Sequence, residues 1–179
     1  MFSEILRTIC RAIDFIVKMT GKTAALLIPV MTVTVAFEVF SRYVLNKPTI
    51  WAFDMSLFLF GYIAALGGAY AQQKKAHINV DILYLQVSHQ VRSLFNVVSY
   101  LLGIFFLILI VQMCFGKFEE SIEFDYRRLS EWAPPMYHFW VMGCVAAGLF
   151  IAQLTRDLIV EIYFLVKGKA LLEEVSHGN

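Results

Sequence analysis

Histidine and cysteine, the side chains that most often bind metals or act as catalysts, are few in this chain and widely spaced. Cysteine occurs three times and never as a CxxC pair, so its spacing predicts buried free thiols rather than a disulfide framework or a zinc site. A helical haem protein needs pairs of axial histidines inside its apolar segments, and here only His138 lies near one. The residues concerned are Cys10, Cys114, Cys144, His77, His89, His138 and His177.

Catalytic signatures are missing from the sequence as well. It contains no GxSxG, no HExxH and no phosphate-binding glycine loop, and no cysteine stands beside a suitable base. We therefore expect a protein that is not an enzyme, with no catalytic residue, no cofactor and no metal site. Transport by the chain alone would need ionisable side chains near the middle of the membrane, and the apolar segments have none there.

Three charged side chains lie near the ends of apolar segments. Glu38 and Arg42 are four residues apart with the acid first, which is the favoured order for an ion pair within one helix. Asp54 begins the next apolar segment at a similar depth. Two interpretations are open: the pair neutralises itself, or the three charges set the packing of the two segments or bind a partner subunit. Trp51 is expected to anchor at the membrane surface.

The composition indicates which elements must position these side chains. Of 179 residues, 59% are hydrophobic and only 16% are charged, and the mean hydropathy is +0.67. A soluble domain carries about 25% charged residues, so this chain is suited to lipid. Its net charge of +1 gives no field that would attract nucleic acid. The length accommodates four membrane-spanning helices with short loops and no second domain.

Four apolar segments are long enough to cross a membrane as helices, the structure in which backbone groups bond within their own segment. The third has 22 residues and no charge, and at about 1.5 Å per residue it matches a hydrocarbon core of about 30 Å. Pro134 and Pro135 precede the fourth segment, and glycines in the second allow close helix packing. The predicted spans are 23–45, 52–71, 94–115 and 136–154, and the glycines are Gly61, Gly67 and Gly68.

The segment before the first span has a helical pattern of its own. Its charged residues recur about every 3.6 positions, which predicts an amphipathic helix over residues 1–22 that lies in the membrane surface among the lipids. A helix packed on a soluble partner is the alternative. The expected fold is thus an all-α membrane protein, with this interfacial helix and a four-helix transmembrane domain over 23–179. The charged residues are Glu4, Arg7, Arg11, Asp14, Lys18 and Lys22.

Basic residues favour one orientation. Ten of the 15 Lys and Arg residues precede the first span, lie between the second and third, or follow the fourth, and five lie in the other two loops. Because basic loops stay on the cytoplasmic side, both termini are expected in the cytoplasm.

The connecting segments add two expectations. Residues 116–134 carry a net charge of −2 at helical spacing, which predicts an acidic helical hairpin on the outer side, either a docking surface or a simple cap on the adjoining spans. A second interfacial helix is favoured for residues 78–91. His77 and Asp81 are expected to fix the cytoplasmic segment after the second span, as a helical pair or as two separate caps.

Residues 37–83 resemble the small membrane subunit of tripartite ATP-independent periplasmic (TRAP) transporters, the DctQ-type family. Several motifs agree in order and spacing, and the four-span topology agrees over the whole chain. Asp54 stands where glutamate is common and Ala76 where glycine often precedes the histidine, and both differences are mild. The matching positions are Glu38, Arg42, Tyr43, Pro48, Trp51, Asp54, Gly67 or Gly68, Ala71, and 77–81 with His77 and Asp81 at its ends.

This resemblance implies a role without chemistry of its own. Members pair with a large multi-span membrane subunit, which holds the substrate and sodium sites, and with a periplasmic binding protein that delivers a carboxylate. The small subunit is then a scaffold in the bacterial inner membrane that supports the large subunit and helps to dock the binding protein. The carboxylate stays open among C4-dicarboxylates, sialic acid and other acids.

Two other functions stay open beside this one. The chain has the span number expected of an adaptor of another membrane complex, and Glu38 in the first span suggests a small proton-coupled multidrug exporter. The position of Glu38 beside Arg42 and away from the membrane centre argues against the exporter. The residues expected at a partner interface or in a structural role are Glu38, Arg42, Trp51, Asp54, Gly67, Gly68, His77 and Asp81.

Overall fold

The computed structural model describes residues 2–76, 89–168 and 171 of the chain. Within these residues the regular secondary structure is helical, apart from a single β-bridge between Arg127 and Pro135. Three of the helices, α1, α2 and α3, are long and apolar enough to cross a membrane. The helices are α1 (Phe2–Tyr43), α2 (Ala52–Gln73), α3 (His89–Glu123) and α4 (Tyr137–Lys167).

Residues that disfavour helix separate these elements. After α1 the chain turns at Asn46, whose φ of 52° is left-handed, and Pro48 follows. Helix α4 starts just after Pro134 and Pro135, which have no backbone N–H to continue a preceding helix. It ends at Gly168, whose φ is 63° and whose N–H donates to the carbonyl of Phe164 at 2.8 Å, as in a left-handed helix cap.

Helices α2 and α4 form the centre of a four-helix bundle. Helix α1 packs on α2, α2 packs on α4, and the contact between α3 and α4 is the most extensive. Tyr62 of α2 contacts His138 near the start of α4, and Gln72 bonds to Asp157 further along, so these two helices run in the same direction. The buried core between α3 and α4 is formed by Leu107, Ala147 and Leu154.

The first and last described segments of the chain lie at the same end of the bundle. The side-chain Nε of Arg7 donates a hydrogen bond to the carbonyl oxygen of Leu171 at 2.9 Å, and Leu171 is buried. We call this the terminal end of the bundle. The opposite end holds residues 44–51 and 124–136, and we call it the loop end. Helices α1 and α3 run from the terminal end to the loop end, and α2 and α4 run back. The four described helices therefore return the chain to the end at which it started.

Helix α1 is longer than the sequence predicts. It runs unbroken through residues 22 and 23, the predicted boundary between an interfacial helix and the first span. The expectation of two separate helices is therefore corrected to one helix of 42 residues, about 63 Å long at about 1.5 Å per residue. Gly21 is the weakest helix former at that boundary, and one glycine costs only about 1 kcal/mol in a helix. The position of residues 1–22 relative to the membrane stays a prediction.

The remaining spans fall inside longer helices. Residues 52–71 lie within α2 and residues 94–115 within α3, both of which are apolar enough to cross a membrane. Residues 136–154 lie almost wholly within the 31-residue α4, which is not one of the three helices that meet that criterion. A fourth membrane crossing therefore stays a prediction.

The acidic segment over residues 116–134 is helical only in its first part, because α3 ends at Glu123. The prediction of helix over the rest of the segment, residues 124–134, is wrong. Asp125 and Ala133 have φ values of 45° and 46°, which a right-handed helix does not contain. The helix favoured for residues 78–91 lies outside the described residues except for 89–91, which begin α3. His77 and Asp81 also lie outside the described residues.

Candidate functional site

Glu38 and Arg42 form the ion pair that their spacing predicts. The Nε of Arg42 donates to Glu38 Oε1 at 2.9 Å, and a second guanidinium nitrogen contacts the same oxygen. The other carboxylate oxygen accepts bonds from the backbone N–H of Thr49, at 3.1 Å, and from the Thr49 hydroxyl. Glu38 therefore neutralises Arg42 and also ties the end of α1 to the loop that leads into α2. Trp51, in the same loop, stacks on Phe37 with ring centroids 6.0 Å apart.

Asp54 has no exposed surface and is paired with a loop distant in sequence. Arg128 Nε donates to one carboxylate oxygen and the Ser130 hydroxyl to the other. The Arg128 guanidinium also lies 5.7 Å from the centre of the Phe53 ring, a cation–π distance. A buried carboxylate needs such partners, because an unpaired charge in a dry site costs several kcal/mol. We call Asp54, Arg128 and Ser130 the loop-end cluster.

The side-chain bonds of the loop-end cluster and two backbone hydrogen bonds hold the loop over residues 124–136 in one conformation. The N–H of Arg128 donates to the carbonyl of Pro134 at 3.0 Å, and that of Met136 donates to the carbonyl of Tyr126 at 2.9 Å. The tip of the loop exposes Leu129 completely. Tyr126 and Trp132 of the same loop are exposed too, and a group of exposed apolar side chains on a fixed loop is a candidate contact surface for another molecule.

A second polar cluster joins three helices at the terminal end. Arg156 of α4 donates to Asp14 of α1 at 3.0 Å and to Asp157 at 3.1 Å. Gln73 of α2 donates to the backbone carbonyl of Asp14 at 2.8 Å, and Gln72 donates to Asp157 at 3.0 Å. We call these five residues the terminal cluster. They link the N-terminal part of α1 to the ends of α2 and α4.

The terminal cluster is largely withdrawn from solvent. Burial raises the pKa of Asp157, and hydrogen bonds from Gln72, Arg156 and Gln153 oppose that rise. The Gln153 side chain is fully buried, and its Oε1 atom has no hydrogen-bond partner among the described residues. Such a cluster stabilises helix packing only while its members remain paired.

The sequence does not reveal the terminal cluster. Asp14 is one of the regularly spaced charged residues of the predicted interfacial helix, and in the structure it pairs with Arg156 of α4. Cys10 and Val17 share that face of α1 and are fully buried, whereas Phe15 and Ile16 on other faces are exposed. The i, i+4 spacing of Gln153 and Asp157 is the single local signal, and it does not identify their partners on α1 and α2.

The predicted small-residue contacts are only partly present. Gly68 meets Phe150 of α4 at ordinary van der Waals distance, and Gly67 has open space beside it. Among the described glycines the closest approaches are at Gly21, where an added Cβ would lie 2.3 Å from the Tyr70 ring, and at Gly61, one of the three predicted glycines, where it would lie 2.9 Å from the Phe139 ring. A larger residue at either position fits only if the Tyr70 or Phe139 ring shifts or the helices move apart.

The three cysteines and His138 have packing roles. Cys10 and Cys114 are buried free thiols, as predicted, and Cys144 is half-buried. His138 contacts the Tyr62 hydroxyl through Nδ1, and the Phe58 ring packs edge-on against it at 4.7 Å. Within the described part of the chain, no three or more His, Cys, Asp or Glu side chains cluster as they would around a metal ion.

Comparison with known proteins yields two matches. Residues 31–162 match the family described as tripartite ATP-independent periplasmic transporters, DctQ component. The chain is also 28% identical over 69 residues to the C4-dicarboxylate TRAP transporter small permease protein DctQ of Vibrio cholerae serotype O1 (strain ATCC 39315 / El Tor Inaba N16961). That alignment covers 38% of this chain and only 30% of the Vibrio protein.

Proposed function

The chain belongs to the DctQ family of tripartite ATP-independent periplasmic transporters, and on this basis we propose that it is the small scaffold subunit of a sodium-coupled transporter that imports a carboxylate. The observation that carries the proposal is the family match over residues 31–162, which includes all of α2 and α3. Proteins of this family are transport components rather than enzymes. In our proposal the solute and sodium ions bind to the large membrane subunit.

The placement of charged contacts supports a static role. Glu38 and Asp54 are paired at the loop end, and Asp14 and Asp157 are paired at the terminal end. All four carboxylates accept bonds from residues of this chain, and each of them has at least one partner on a different helix or loop. Contacts of this kind hold helices in one arrangement, and a scaffold beside a moving subunit has that requirement.

The outer faces of α1 and α3 are available for the large membrane subunit and for lipid. In the most apolar stretch of each of these helices only 6% of residues are buried, against 33% in α2. Lipid provides no hydrophobic drive for helix association, so the partner must be held by close packing and polar contacts. Gly67, with open space beside it, is the small residue that we assign to such packing.

We assign the loop end to the periplasmic binding protein. Asp54 fixes the loop over residues 124–136, so the exposed Leu129 is presented in a defined position. Arg127 and Arg128 precede Leu129 and Glu131 follows it, so the surface around Leu129 carries charges of both signs. An apolar contact with a charged surround favours a partner with an apolar pocket and a polar rim.

Purification and uptake measurements test the scaffold assignment. A tagged chain isolated from its native membranes in mild detergent should bring with it a large multi-span membrane protein. In liposomes, both membrane subunits and the binding protein together should take up a labelled carboxylate only with an inward sodium gradient. Uptake should be lost when this chain is left out.

Three results would contradict the assignment. Solute flux through the purified chain alone would indicate an exporter, and full uptake by the large subunit without the chain would show that no scaffold is needed. Isolation of the chain with a complex that transports nothing would favour an adaptor of another membrane complex.

A photo-crosslinking amino acid at position 129 tests the docking surface separately. In the assembled transporter this position should crosslink to the binding protein, and position 166 should not, because Val166 is exposed at the terminal end. Crosslinks from position 129 to the large subunit alone would contradict the docking role and leave the scaffold role intact.

A further inference from the structure

Two of the three cysteines lie on helices that pack against each other. Cys114 belongs to α3 and Cys144 to α4, the pair of helices with the most extensive contact in the bundle. Both are free thiols, Cys114 buried and Cys144 half-buried. The proposed scaffold role uses neither of them. A reaction between the two thiols depends on how closely the packing of α3 and α4 places their sulfur atoms.

Three contacts define the register of these antiparallel helices. Equal numbers of residues separate successive contacts on α3 and on α4, as expected for a regular pair of helices. Position 144 is therefore level with position 113, so the two cysteines differ by about one residue, or about 1.5 Å, along the bundle. The contacts join Asn96 to Glu161, Gly103 to Leu154 and Cys114 to Gly143.

The two sulfur atoms also lie on the same side of the contact. Cys114 Sγ is 3.0 Å from the position that a Cβ on Gly143 would take, so no side chain at 143 separates it from α4. The Cys144 thiol donates to the carbonyl oxygen of Val111, about one turn before Cys114, at 3.9 Å. The two thiols are within hydrogen-bonding reach of each other. A disulfide between helices requires this closeness of the two side chains.

We propose that Cys114 and Cys144 are a site of reversible oxidation, at which hydrogen peroxide converts the two thiols to one disulfide that joins α3 to α4. The half-buried Cys144 reacts first. Its sulfur takes one hydroxyl group of the peroxide, the O–O bond breaks, and the other hydroxyl leaves with the thiol proton as water. The Cys114 sulfur then attacks the sulfenic acid at Cys144, the S–O bond breaks, and a second water leaves with the Cys114 proton. The two sulfur atoms lose two electrons, and the peroxide gains them.

Burial selects the oxidant. Cys114 is only 6% exposed, so the disulfide of another protein does not reach its sulfur, whereas hydrogen peroxide is small and uncharged. Hydrogen peroxide also crosses membranes, so the reaction does not depend on the orientation of the chain. Cys10 is fully buried on α1, which carries no second cysteine. It is therefore an internal comparison for the pair.

The disulfide closes a ring of residues 114–144, which contains the loop over residues 124–136. A closed ring limits the conformations of the chain within it. Oxidation therefore restrains the same loop that Asp54 holds through Arg128.

A count of alkylated cysteines tests the proposal. The full chain in lipid nanodiscs, with any subunit that co-purifies, is treated with hydrogen peroxide, denatured and alkylated with N-ethylmaleimide. The intact mass should show three labels before treatment and one label afterwards, at Cys10, and dithiothreitol should restore all three. Peptide mapping without reduction should show Cys114 joined to Cys144 within one chain.

Two variants change the position of the partner thiol. Cys144→Ser removes it, and Cys144→Ser with Val145→Cys moves it by one residue to an exposed position of α4. In both variants the label at Cys114 should be lost at least about tenfold more slowly than in the parent, because a correctly placed neighbour reacts within the molecule.

Three outcomes would overturn the proposal. The first is a parent chain that keeps three labels under conditions that fully oxidise the exposed thiol of a Leu129→Cys chain treated in parallel. The second is equal loss of the Cys114 label in the parent and in both variants. The third is a disulfide found only between two chains, which would contradict a pair within one chain.

Discussion

At the scale of single residues, the two members of the Asp54–Arg128 pair are not equivalent. Asp54 has no exposed surface, while the Arg128 side chain is 28% exposed. Arg128 therefore reaches water on its own, and Asp54 depends wholly on its partners. Breaking a buried pair costs most when the charge left behind is the buried one.

We expect Arg128→Gln to destabilise the protein more than Asp54→Asn. The arginine variant leaves a buried carboxylate with only the Ser130 hydroxyl and should cost about 3–5 kcal/mol. The asparagine variant removes the buried charge, keeps a polar group for Ser130, and should cost about 1–3 kcal/mol. Thermal unfolding of the purified chain in detergent measures both effects.

Arg127→Gln provides the control for this comparison. Arg127 is paired with Asp125 at 3.0 Å, and both side chains are more than half exposed. Exposed pairs contribute about 0–1 kcal/mol, so this variant should unfold close to the parent. Equal losses for Arg127→Gln and Arg128→Gln would show that Asp54 is not the support of the loop.

At the scale of helices, α1 and α2 approach each other closely at Gly21. The ring of Tyr70 occupies the space in which any side chain at position 21 would lie. Gly67, on α2, is also helical and has no such neighbour. Comparing the two positions therefore distinguishes the role of glycine in close helix packing from the low helix propensity that every glycine has.

Gly21→Ala should destabilise the bundle and Gly67→Ala should not. The new methyl group at position 21 must displace the Tyr70 ring or separate α1 from α2, at a cost of about 1–3 kcal/mol. At position 67 alanine meets open space and gains up to about 1 kcal/mol in helix propensity. Thermal unfolding compares the two variants, and equal stability of Gly21→Ala and the parent would refute the close contact.

The terminal cluster attaches the N-terminal part of α1 to α2 and α4. Cys10 lies on the same face of α1 as Asp14 and is fully buried, so it reports this attachment. In a chain whose other cysteines are replaced by alanine, Asp14→Ala should increase the rate of maleimide labelling at Cys10 about tenfold or more, because the bond to Arg156 is lost. Glu4→Ala, which changes an exposed acid of the same helix, should leave the rate unchanged.

Unchanged labelling of Cys10 in both variants would show that apolar packing alone holds this part of α1. Labelling that is fast in the parent chain would contradict the burial of Cys10 and would favour an N-terminal helix that lies free in the membrane surface.

At the scale of the whole molecule, the hydrogen bond between Arg7 and Leu171 places the first and last described segments at one end of the bundle. Three crossings would separate these segments, so their proximity favours an even number of crossings, with α4 as the fourth. The distribution of basic residues favours the cytoplasm for that end.

We expect reporters at both termini to have the same location. Green fluorescent protein fused to either terminus should fluoresce, which requires the cytoplasm, and alkaline phosphatase fused there should be inactive. Leu129→Cys, at the opposite end and fully exposed, should react with a membrane-impermeant maleimide added outside the inner membrane. Fluorescence from only one terminus would indicate an odd number of crossings.

The sequence by itself determined the features that depend on neighbouring residues. Apolar runs of 20 or so residues specify helices in lipid, so the all-helical class and three apolar helices follow from composition and length. The Glu38–Arg42 pair follows from its i, i+4 spacing. The resemblance to the DctQ family depends on residues close together in the chain, from Glu38 onward. The family match over residues 31–162 confirms it.

Tertiary structure alone decided which faces and loops meet. Asp54 and Arg128 are 74 residues apart, and Asp14 and Arg156 are 142 apart, so no local spacing identifies them as partners. The periodicity of α1 shows that Asp14 shares a face with other charged residues, but not that α2 and α4 cover this face. Likewise, the sequence marks many glycines, and only the positions of the Tyr70 and Phe139 rings select Gly21 and Gly61. Helical periodicity is a property of one segment, whereas burial and pairing depend on how several segments pack.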